Sequence, residues 1–177
     1  MIENNYSDQN IILIGMMATG KSAVGKELAD SLSRKYLDTD QLVEEKAGMT
    51  VAEIFASHGE FEFRKYESEI IAGLPEYPRG SLVVATGGGA VISEENRANL
   101  GRAGLIVLLT AEPEVIVRRA FLKGERPLLT GKDPEAKVRK ILKEREPYYR
   151  CYNLCINTDR KNIQELASEI IEKIKSE

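Results

Sequence analysis

A short glycine-containing loop near the N-terminus has the residue types and spacing needed to hold phosphate groups. Residues 15–22 read Gly-Met-Met-Ala-Thr-Gly-Lys-Ser and fit the pattern Gly-x4-Gly-Lys-Ser in full. In this pattern the loop turns its backbone N–H groups toward a phosphate, and the following helix adds a partial positive charge. Lys21 is predicted to bridge the β- and γ-phosphates and Ser22 to ligate Mg²⁺. The segment therefore predicts a site for a nucleoside triphosphate.

The context of this loop favours the motif over a chance match in a turn. The apolar run Ile11–Ile14 precedes it as a predicted buried strand, and a helix is predicted over Ser22–Leu32. Ala18 stands where a more glycine-rich loop has glycine. Alanine is compatible with that position if its φ angle stays negative there.

Two acidic residues lie where a second predicted strand ends. Asp38 closes the strand Lys35–Asp38, and Asp40 follows two residues later. Ligands bind beyond the carboxyl ends of strands in open α/β sheets, and residues i and i+2 share one side of an extended segment. Asp38 is therefore predicted to hold a Mg²⁺-bound water, and Asp40 to accept a proton from a substrate hydroxyl. The alternative is that one or both cap the next helix.

Three arginines and a run of glycines are candidates for the acceptor side. Arg64, Arg126 and Arg145 carry the bidentate fork that suits a carboxylate or a phosphate. For each of them the alternative is a solvated surface arginine or a salt bridge within one helix. The triplet Gly87–Gly89 follows the third predicted strand and would let a ligand approach the backbone closely. We interpret it as a substrate-facing wall, with a plain flexible turn as the alternative.

The elements that must position these residues alternate along the chain. Further strands are predicted at Leu82–Ala85, Leu105–Leu109 and Asn153–Ile156. Further helices are predicted at Asp40–Lys46, Val51–Ala56, Glu60–Leu74, Ser93–Leu100, Glu112–Ala120, Pro134–Tyr149 and Ile163–Ile174. Because nearly all the strands are apolar throughout, the pattern predicts a parallel sheet covered by helices on both faces. Residues 40–74 lack a strand and should form a lobe beside the sheet, and residues 121–132 should form a long mobile loop.

Composition narrows the class of protein. The chain has 177 residues, which suits one domain, and its 25 basic and 28 acidic residues give a net charge of −3. This balance argues against a nucleic-acid partner. With no apolar stretch of membrane-spanning length and no signal-like N-terminus, we expect a cytoplasmic protein without a membrane partner. Cys151 and Cys155 are interpreted as packing residues in a reducing compartment rather than a disulfide or a zinc site.

Together these residues resemble shikimate kinase over nearly the whole chain, from Ile11 to about Ile174. The resemblance depends on an ordered set of blocks, which are GMMATGKS at 15–22, DTD at 38–40, FRKYE at 63–67, GGG at 87–89, RPLL at 126–129 and REPYY at 145–149. It implies an α/β fold, a three-layer α/β/α P-loop fold of the nucleoside-monophosphate-kinase type with a five-stranded parallel sheet. Residues 1–177 would form a single kinase domain, with 39–74 as the substrate-binding lobe and 121–132 as a lid.

The resemblance also implies roles for individual residues. The implied substrate-binding residues are Asp40, Arg64, Gly87, Gly88, Gly89 and Arg145. Arg64 and Arg145 would hold the shikimate carboxylate, Glu67 would orient Arg64, and Asp40 would be the general base. The implied ATP-binding residues are Ala18, Thr19, Gly20, Lys21, Ser22, Ala23, Arg119, Arg126 and Lys161. The implied catalytic residues are Asp40, Lys21 and Arg126, and the implied metal-binding residues are Ser22 and Asp38.

Two residues depart from the family pattern within the phosphate loop. Ala18 stands where glycine is common, and Ala23 stands where threonine commonly follows the serine. Lys161 also replaces the commoner arginine beside the adenine. Because Ala23 lacks a hydroxyl that could touch the α-phosphate, nucleotide affinity is expected to be modestly weaker.

The predicted reaction is the transfer of phosphate from ATP to the 3-hydroxyl of shikimate, with Mg²⁺, giving 3-phosphoshikimate for aromatic amino-acid biosynthesis. The partners would be ATP and shikimate, and the chain would act as a monomer. One alternative is a P-loop kinase for another small acceptor such as gluconate or a nucleoside monophosphate. Another is a nucleotide-binding relative without catalytic activity.

Overall fold

The computed structural model describes residues 6–122 and 133–176. These residues form a five-stranded sheet in the order β2-β3-β1-β4-β5, with every pair of neighbouring strands parallel. The strands are β1 (Ile11–Ile14), β2 (Lys35–Asp38), β3 (Leu82–Ala85), β4 (Leu105–Thr110) and β5 (Leu154–Asn157). The predicted five-stranded parallel sheet is confirmed, with differences of one residue at the ends of β4 and β5.

Helices cover both faces of the sheet and form a lobe beside it. They are α1 (Lys21–Leu32), α2 (Thr39–Ala47), α3 (Val51–Ser57), α4 (Gly59–Gly73), α5 (Glu94–Ala103), α6 (Pro113–Leu122), α7 (Pro134–Tyr149) and α8 (Ile163–Ser176). The predicted loop 121–132 is wrong for Phe121 and Leu122, which continue α6 because the first helix breaker after Ala120 is Gly124. The rest of that prediction falls on residues 123–132, outside the described residues.

The central strand explains why the strands are apolar throughout. All four side chains of β1 are fully buried, and they alternate between two separate hydrophobic clusters. Ile11 and Leu13 pack in a cluster with residues of α1 and α8, while Ile12 and Ile14 pack in one with residues of α4 and α5. A parallel strand with helices on both faces has no solvent side, so it carries no polar alternation.

The strand order brings the candidate site residues to one edge of the sheet. In register, Ala85 of β3 lies between Leu13 of β1 and Asp38 of β2. The loops that leave the carboxyl ends of these three strands therefore start side by side. They are the phosphate loop, the acidic segment at Asp38 and the glycine triplet Gly87–Gly89. This is the position in open α/β sheets where ligands bind.

The lobe formed by α2, α3 and α4 has its own small core. Val43, Ile54 and Phe63, one from each helix, are buried against one another. Helix α3 begins with the predicted capping box, in which Thr50 accepts from the backbone N–H of Glu53 and the Glu53 carboxylate accepts from the backbone N–H of Thr50. The assignment of residues 39–74 to substrate binding remains a prediction.

The two cysteines are free and differ in exposure. Cys151 is half-buried, whereas Cys155 is exposed because its side chain alternates along β5 with the buried Leu154 and Ile156. The interpretation as packing residues is therefore wrong for Cys155. Within residues 6–122 and 133–176, no helix combines the length and the hydrophobicity that a membrane crossing needs.

Candidate active site

The phosphate loop connects β1 to α1 through two glycines that hold conformations unfavourable for other residues. Gly15 has a φ of 142° and Gly20 a φ of 100°. A side chain at Gly15 would also collide with the backbone carbonyl of Leu109. The Lys21 ammonium donates to the backbone oxygens of Gly15 and Met16, at 2.8 and 2.9 Å. The lysine is thus held across the mouth of the loop, at the N-terminus of α1.

Ala18 does not meet the condition under which alanine suits this position, which is a negative φ. Its φ is +61°, in the left-handed region. The cause is a tight turn in which Thr19 closes on the Met16 carbonyl, with its backbone N–H at 3.4 Å and its hydroxyl at 2.8 Å. A positive φ at the third position of such a turn is ordinarily left to glycine. The alanine therefore holds a strained conformation.

Replacing this alanine by glycine should stabilise the chain. The left-handed conformation costs an L-residue about 1–2 kcal/mol, and the larger unfolded-state entropy of glycine cancels about 0.5–1 kcal/mol of the gain. We expect Ala18→Gly to raise Tm by a few degrees in thermal unfolding. Ala23→Gly is the matched control, because Ala23 lies inside α1 and glycine there should lower Tm. A Tm of Ala18→Gly below that of wild type would contradict the inference that Ala18 is strained.

The acidic segment does not have the extended geometry assumed from the sequence. Asp38 ends β2, but Asp40 lies in the first turn of α2, so the i, i+2 argument is wrong in its geometry. The capping alternative holds for Asp38, whose Oδ1 accepts from the backbone N–H of Asp40 at 3.1 Å. Both carboxylates nevertheless line a cleft of about 100 Å³ with Lys21, Ser22 and Gly88.

The second oxygen of Asp38 faces the phosphate loop. Its Oδ2 accepts from the Ser22 hydroxyl and from the Tyr36 hydroxyl, both at 3.0 Å. A hydroxyl and a carboxylate oxygen are hard ligands of the kind that Mg²⁺ takes, with waters and substrate phosphates completing its shell. Ser22 and Asp38 therefore fit a Mg²⁺ site. Among the described residues, no group of three or more His, Cys, Asp or Glu side chains could hold a metal ion.

Asp40 has a buried carboxylate oxygen without a hydrogen-bond partner. Among the described residues, nothing donates to its Oδ1. Burial raises the pKa of the Asp40 carboxyl, and the nearby Asp38 carboxylate raises it further, against the opposing charges of Lys21 and Arg64. A carboxylate of raised basicity that lines a cleft is suited to take a proton from a hydroxyl.

The glycine triplet makes room for this carboxylate and for a second one. A Cβ at Gly87 would lie 2.7 Å from Oδ1 of Asp40 and 2.7 Å from Oε1 of Glu67. The Thr39 hydroxyl fixes this backbone by accepting from the N–H of Gly87 at 2.9 Å. A Cβ at Gly89 would lie 2.7 Å from Nη1 of Arg64. The triplet is therefore a wall against which side chains pack, and the flexible-turn alternative does not describe it.

Arg64 is held in the lobe by two carboxylates of its own helix. Its Nη1 donates to Glu67 at 2.7 Å, and its Nε and Nη2 donate to Glu60 at 3.2 and 3.0 Å. The alternative of a salt bridge within one helix is thus observed. Glu67 is fully buried, while the Arg64 side chain keeps 28% of its surface exposed. These bonds use three of the five N–H groups of the guanidinium, so Arg64 is fixed in position and still has N–H donors for an anion.

Burial makes Glu67 a source of pH-dependent stability. It raises the pKa of the Glu67 carboxyl, and the ion pair with Arg64 offsets this only in part. Between the ordinary value of 4.5 and the raised value the folded chain binds more protons than the unfolded chain, so stability falls as pH rises. Glutamine at position 67 cannot ionise and should not lose stability in this way. We therefore expect the Tm of Glu67→Gln, relative to the Tm of wild type, to increase as pH rises.

The measurement is thermal unfolding of both proteins across the acidic and neutral range. Glu69→Gln on the same helix is the control with the opposite sign. A hydrogen bond from Lys46 lowers the pKa of the exposed Glu69 carboxyl. The Tm of Glu69→Gln, relative to the Tm of wild type, should therefore decrease as pH rises. Parallel profiles for Glu67→Gln and wild type would refute the prediction.

Arg145 reaches the same wall from the opposite side. Its Nη1 donates to the Gly88 carbonyl at 3.1 Å, and the buried Tyr149 hydroxyl, one helical turn further along α7, donates to the same oxygen at 2.8 Å. Because Arg64 packs on Gly89 and Arg145 on Gly88, the two guanidiniums approach adjacent residues of one loop. The structure thus brings together the two arginines that sequence places about eighty residues apart.

A second, larger cavity opens on the other side of the phosphate loop. It has a volume of about 380 Å³ and is lined by Ala18, Gly20, Arg119, Lys161 and Ile163 among others. The predicted ATP-binding residues at both ends of the chain therefore meet. Thr19, Lys21 and Ser22 lie in the same loop or at the start of α1, and Ala23 also lines this cavity. Arg126, predicted to be catalytic and to bind ATP, lies outside the described residues.

Four residues that hold this site were missed by sequence reasoning. They are Tyr36, Thr39, Tyr149 and Thr158. Thr39 and Tyr149 lie inside the blocks DTD and REPYY, so their positions were a usable signal. Tyr36 lies inside β2 and Thr158 directly follows β5, both outside the motif blocks, and only their contacts with Asp38 and Arg119 reveal them.

The family is decided by comparison with known proteins. The shikimate kinase family model matches residues 17–175. This chain belongs to the shikimate kinase family. It is 46% identical over 163 residues to a shikimate kinase of Caldanaerobacter subterraneus subsp. tengcongensis, covering 92% of this chain and 94% of that protein. It is also 46% identical over 168 residues to a shikimate kinase of Symbiobacterium thermophilum, covering 93% and 95%.

A solved structure extends the likeness to three dimensions. A shikimate kinase from Acinetobacter baumannii in complex with shikimate matches this chain with a TM-score of 0.89 and 38% identity, covering 97% of this chain and 95% of that one. Membership of the shikimate kinase family confirms the predicted kinase and the predicted P-loop fold. A kinase for another acceptor and a non-catalytic relative are not favoured.

Proposed function

We propose that this protein transfers the γ-phosphate of ATP to the 3-hydroxyl of shikimate, giving ADP and 3-phosphoshikimate, with Mg²⁺. The observation that supports it best is the position of Asp40. Asp40 lines the cleft with Lys21 of the phosphate loop, and its buried Oδ1, which has no hydrogen-bond partner among the described residues, lies against Gly87 of the glycine wall that Arg64 and Arg145 approach. Donor, base and anion-binding groups thus converge on one place, as in-line transfer requires.

The acceptor side is suited to a small acid that carries hydroxyl groups. Arg64 and Arg145 would hold the carboxylate of shikimate at the Gly88–Gly89 wall, where bidentate hydrogen bonds fix its orientation. Gly87, Gly88 and Gly89 would contact the ring through their backbone.

The donor side would be built by the phosphate loop and the large cavity next to it. Residues 18–23 would cradle the phosphates, Lys21 would exchange its contacts with Gly15 and Met16 for phosphate oxygens, and Arg119 and Lys161 would lie beside the adenine. Ser22 and Asp38 would hold Mg²⁺. When bound there, the ion neutralises charge on the β- and γ-phosphates.

In the transfer, Asp40 would orient the 3-hydroxyl and take its proton. The hydroxyl oxygen forms a bond to the γ-phosphorus as the bond from phosphorus to the ADP oxygen breaks, and ADP leaves. Lys21 stabilises charge on the moving group. Positioning and electrostatics of this kind supply most of the rate enhancement in phosphoryl transfer.

We also propose that the protein acts as a cytoplasmic monomer in aromatic amino-acid biosynthesis, with ATP and shikimate as partners. Analytical ultracentrifugation at micromolar concentration tests it, and a stable dimer would overturn it.

The test of the function combines activity and binding. ADP release in a coupled assay should require shikimate, and shikimate should raise Tm more than quinate or gluconate does. A ligand at about 100 times its Kd adds about 2.7 kcal/mol to the free energy of unfolding, which a thermal shift readily detects. Equal ADP release without shikimate, or equal stabilisation by gluconate, would overturn the proposed acceptor.

A further inference from the structure

Thr158 is a buried polar residue that the proposed reaction leaves without a role. It follows β5 directly and is fully buried. Its backbone N–H and its hydroxyl both donate to the carbonyl of Thr110 at the end of β4, at 2.9 and 3.1 Å. The residue is therefore fixed to the sheet before any side chain contacts it.

Arg119 of α6 donates hydrogen bonds to this threonine from both of its terminal nitrogens. Its Nη1 donates to the Thr158 hydroxyl at 2.8 Å, and its Nη2 donates to the Thr158 carbonyl at 2.5 Å. An arginine can only donate and a carbonyl can only accept, so the hydroxyl must accept from Arg119 while donating to Thr110. Because the two bonds involve both terminal nitrogens, Nη1 and Nη2, they fix the plane of the guanidinium group.

The fixed guanidinium borders the cavity of about 380 Å³ beside Ala18 and Gly20. The other basic side chain of this cavity, Lys161, pairs with Glu169 at 2.6 Å. Because two of its five N–H groups bond Thr158 and fix its plane, the Arg119 guanidinium can offer the cavity a flat cationic face in addition to its remaining N–H donors. A planar aromatic ring is the ligand group that such a face attracts.

We propose that Thr158 is a positioning residue for the nucleotide, acting by holding Arg119 in the plane that its base requires. The inference rests on the proposed function to the extent that this cavity takes the base of ATP. An arginine side chain has about 2 kcal/mol of rotamer entropy. Because Thr158 already fixes the Arg119 side chain in the free protein, nucleotide binding does not have to supply that entropy cost. Loss of the Thr158 hydroxyl therefore weakens nucleotide binding and leaves binding of the acceptor unaffected.

The experiment compares ADP affinity in Thr158→Val and Thr158→Ser by calorimetry without shikimate. Valine keeps the shape and the backbone bond to Thr110 but removes the hydroxyl, whereas serine keeps the hydroxyl. We expect valine to weaken ADP binding roughly three- to tenfold, the range for losing one hydrogen bond of ordinary strength, because the loss acts on ADP only through Arg119. Serine should stay within about twofold of wild type. In steady-state assays valine should raise KM for ATP and leave KM for shikimate unchanged.

A double-mutant cycle with Arg119→Met separates positioning from general loosening of the fold. If Thr158 acts through Arg119, Thr158→Val adds no further weakening when Arg119 is already Met. Thr110→Val is the matched control, because its hydroxyl contacts the Ile156 carbonyl and not Arg119. Tm of each variant shows that ADP binding is measured on folded protein.

The outcomes are distinct. Wild-type ADP affinity in Thr158→Val, or the same weakening with and without Arg119, overturns the inference. If the variants show the expected ADP affinities but wild type does not phosphorylate shikimate, the proposed acceptor is overturned and the inference about Thr158 stands. If wild type does not bind ADP at all, both are overturned.

Discussion

Asp40→Asn should reduce the single-turnover rate of phosphoryl transfer by roughly 10²- to 10⁴-fold, the range for loss of a general base. Asparagine keeps the size of the side chain and its ability to hydrogen-bond a hydroxyl, but it cannot take a proton. The backbone N–H of residue 40 still reaches Asp38, so the start of α2 is preserved. The measurement is rapid-quench transfer from labelled ATP with the protein in excess.

The control for this variant is Glu45→Gln, which removes an exposed carboxylate from the same helix. It should leave the rate unchanged. ADP affinity should be similar in Asp40→Asn and wild type, because the phosphate loop is intact. A transfer rate within about threefold of wild type would exclude Asp40 as the base, since base loss costs at least about a hundredfold.

Arg64→Lys should raise KM for shikimate by about 10- to 100-fold, the effect of losing a hydrogen bond to a charged group. Lysine keeps a positive charge against the buried Glu67, so the fold is spared the larger cost of an unpaired buried carboxylate. It cannot reproduce the fork that holds a carboxylate at two points. KM for ATP should stay near the wild-type value, because Arg64 does not line the nucleotide cavity.

Lys65→Ala provides the matched control, because Lys65 is the neighbouring cation on α4 and is mostly exposed. Its KM for shikimate should equal that of wild type. Steady-state kinetics with shikimate and ATP varied in turn gives both constants. An unchanged KM for shikimate in Arg64→Lys would remove Arg64 from the carboxylate clamp.

The fold was largely predictable because its signals are local. The all-apolar strand Ile11–Ile14, the capping box at Thr50 and Glu53, and the phosphate-loop pattern each depend on a few neighbouring residues. Their bounds were correct to within a residue or two. The prediction failed where tertiary geometry overrode local preference. Ala18 is forced to a positive φ by closure of its turn, and Asp40 turns into α2 instead of continuing the strand.

The candidate site was predictable in part. Asp40, Arg64, Gly88 and Arg145 were identified from their blocks, but nothing local indicated that they meet. Two features of the site depend on the tertiary structure. Gly87 is constrained by two carboxylates at once, and Arg64 is fixed by the fully buried Glu67. Thr158 carries no sequence signal, because a threonine at a strand end is ordinary until its partner from α6 is known.

The sequence by itself determined the type of fold and the chemistry of the phosphate loop, because strand apolarity, helix caps and the Gly-x4-Gly-Lys-Ser spacing are properties of contiguous residues. Only the tertiary structure decided which side chains share the cleft. The order β2-β3-β1 sets the acidic strand end, the glycine wall and the phosphate loop side by side. The strand order depends on how segments far apart in the sequence pack together to bury both faces of the sheet, so no local sequence pattern specifies it.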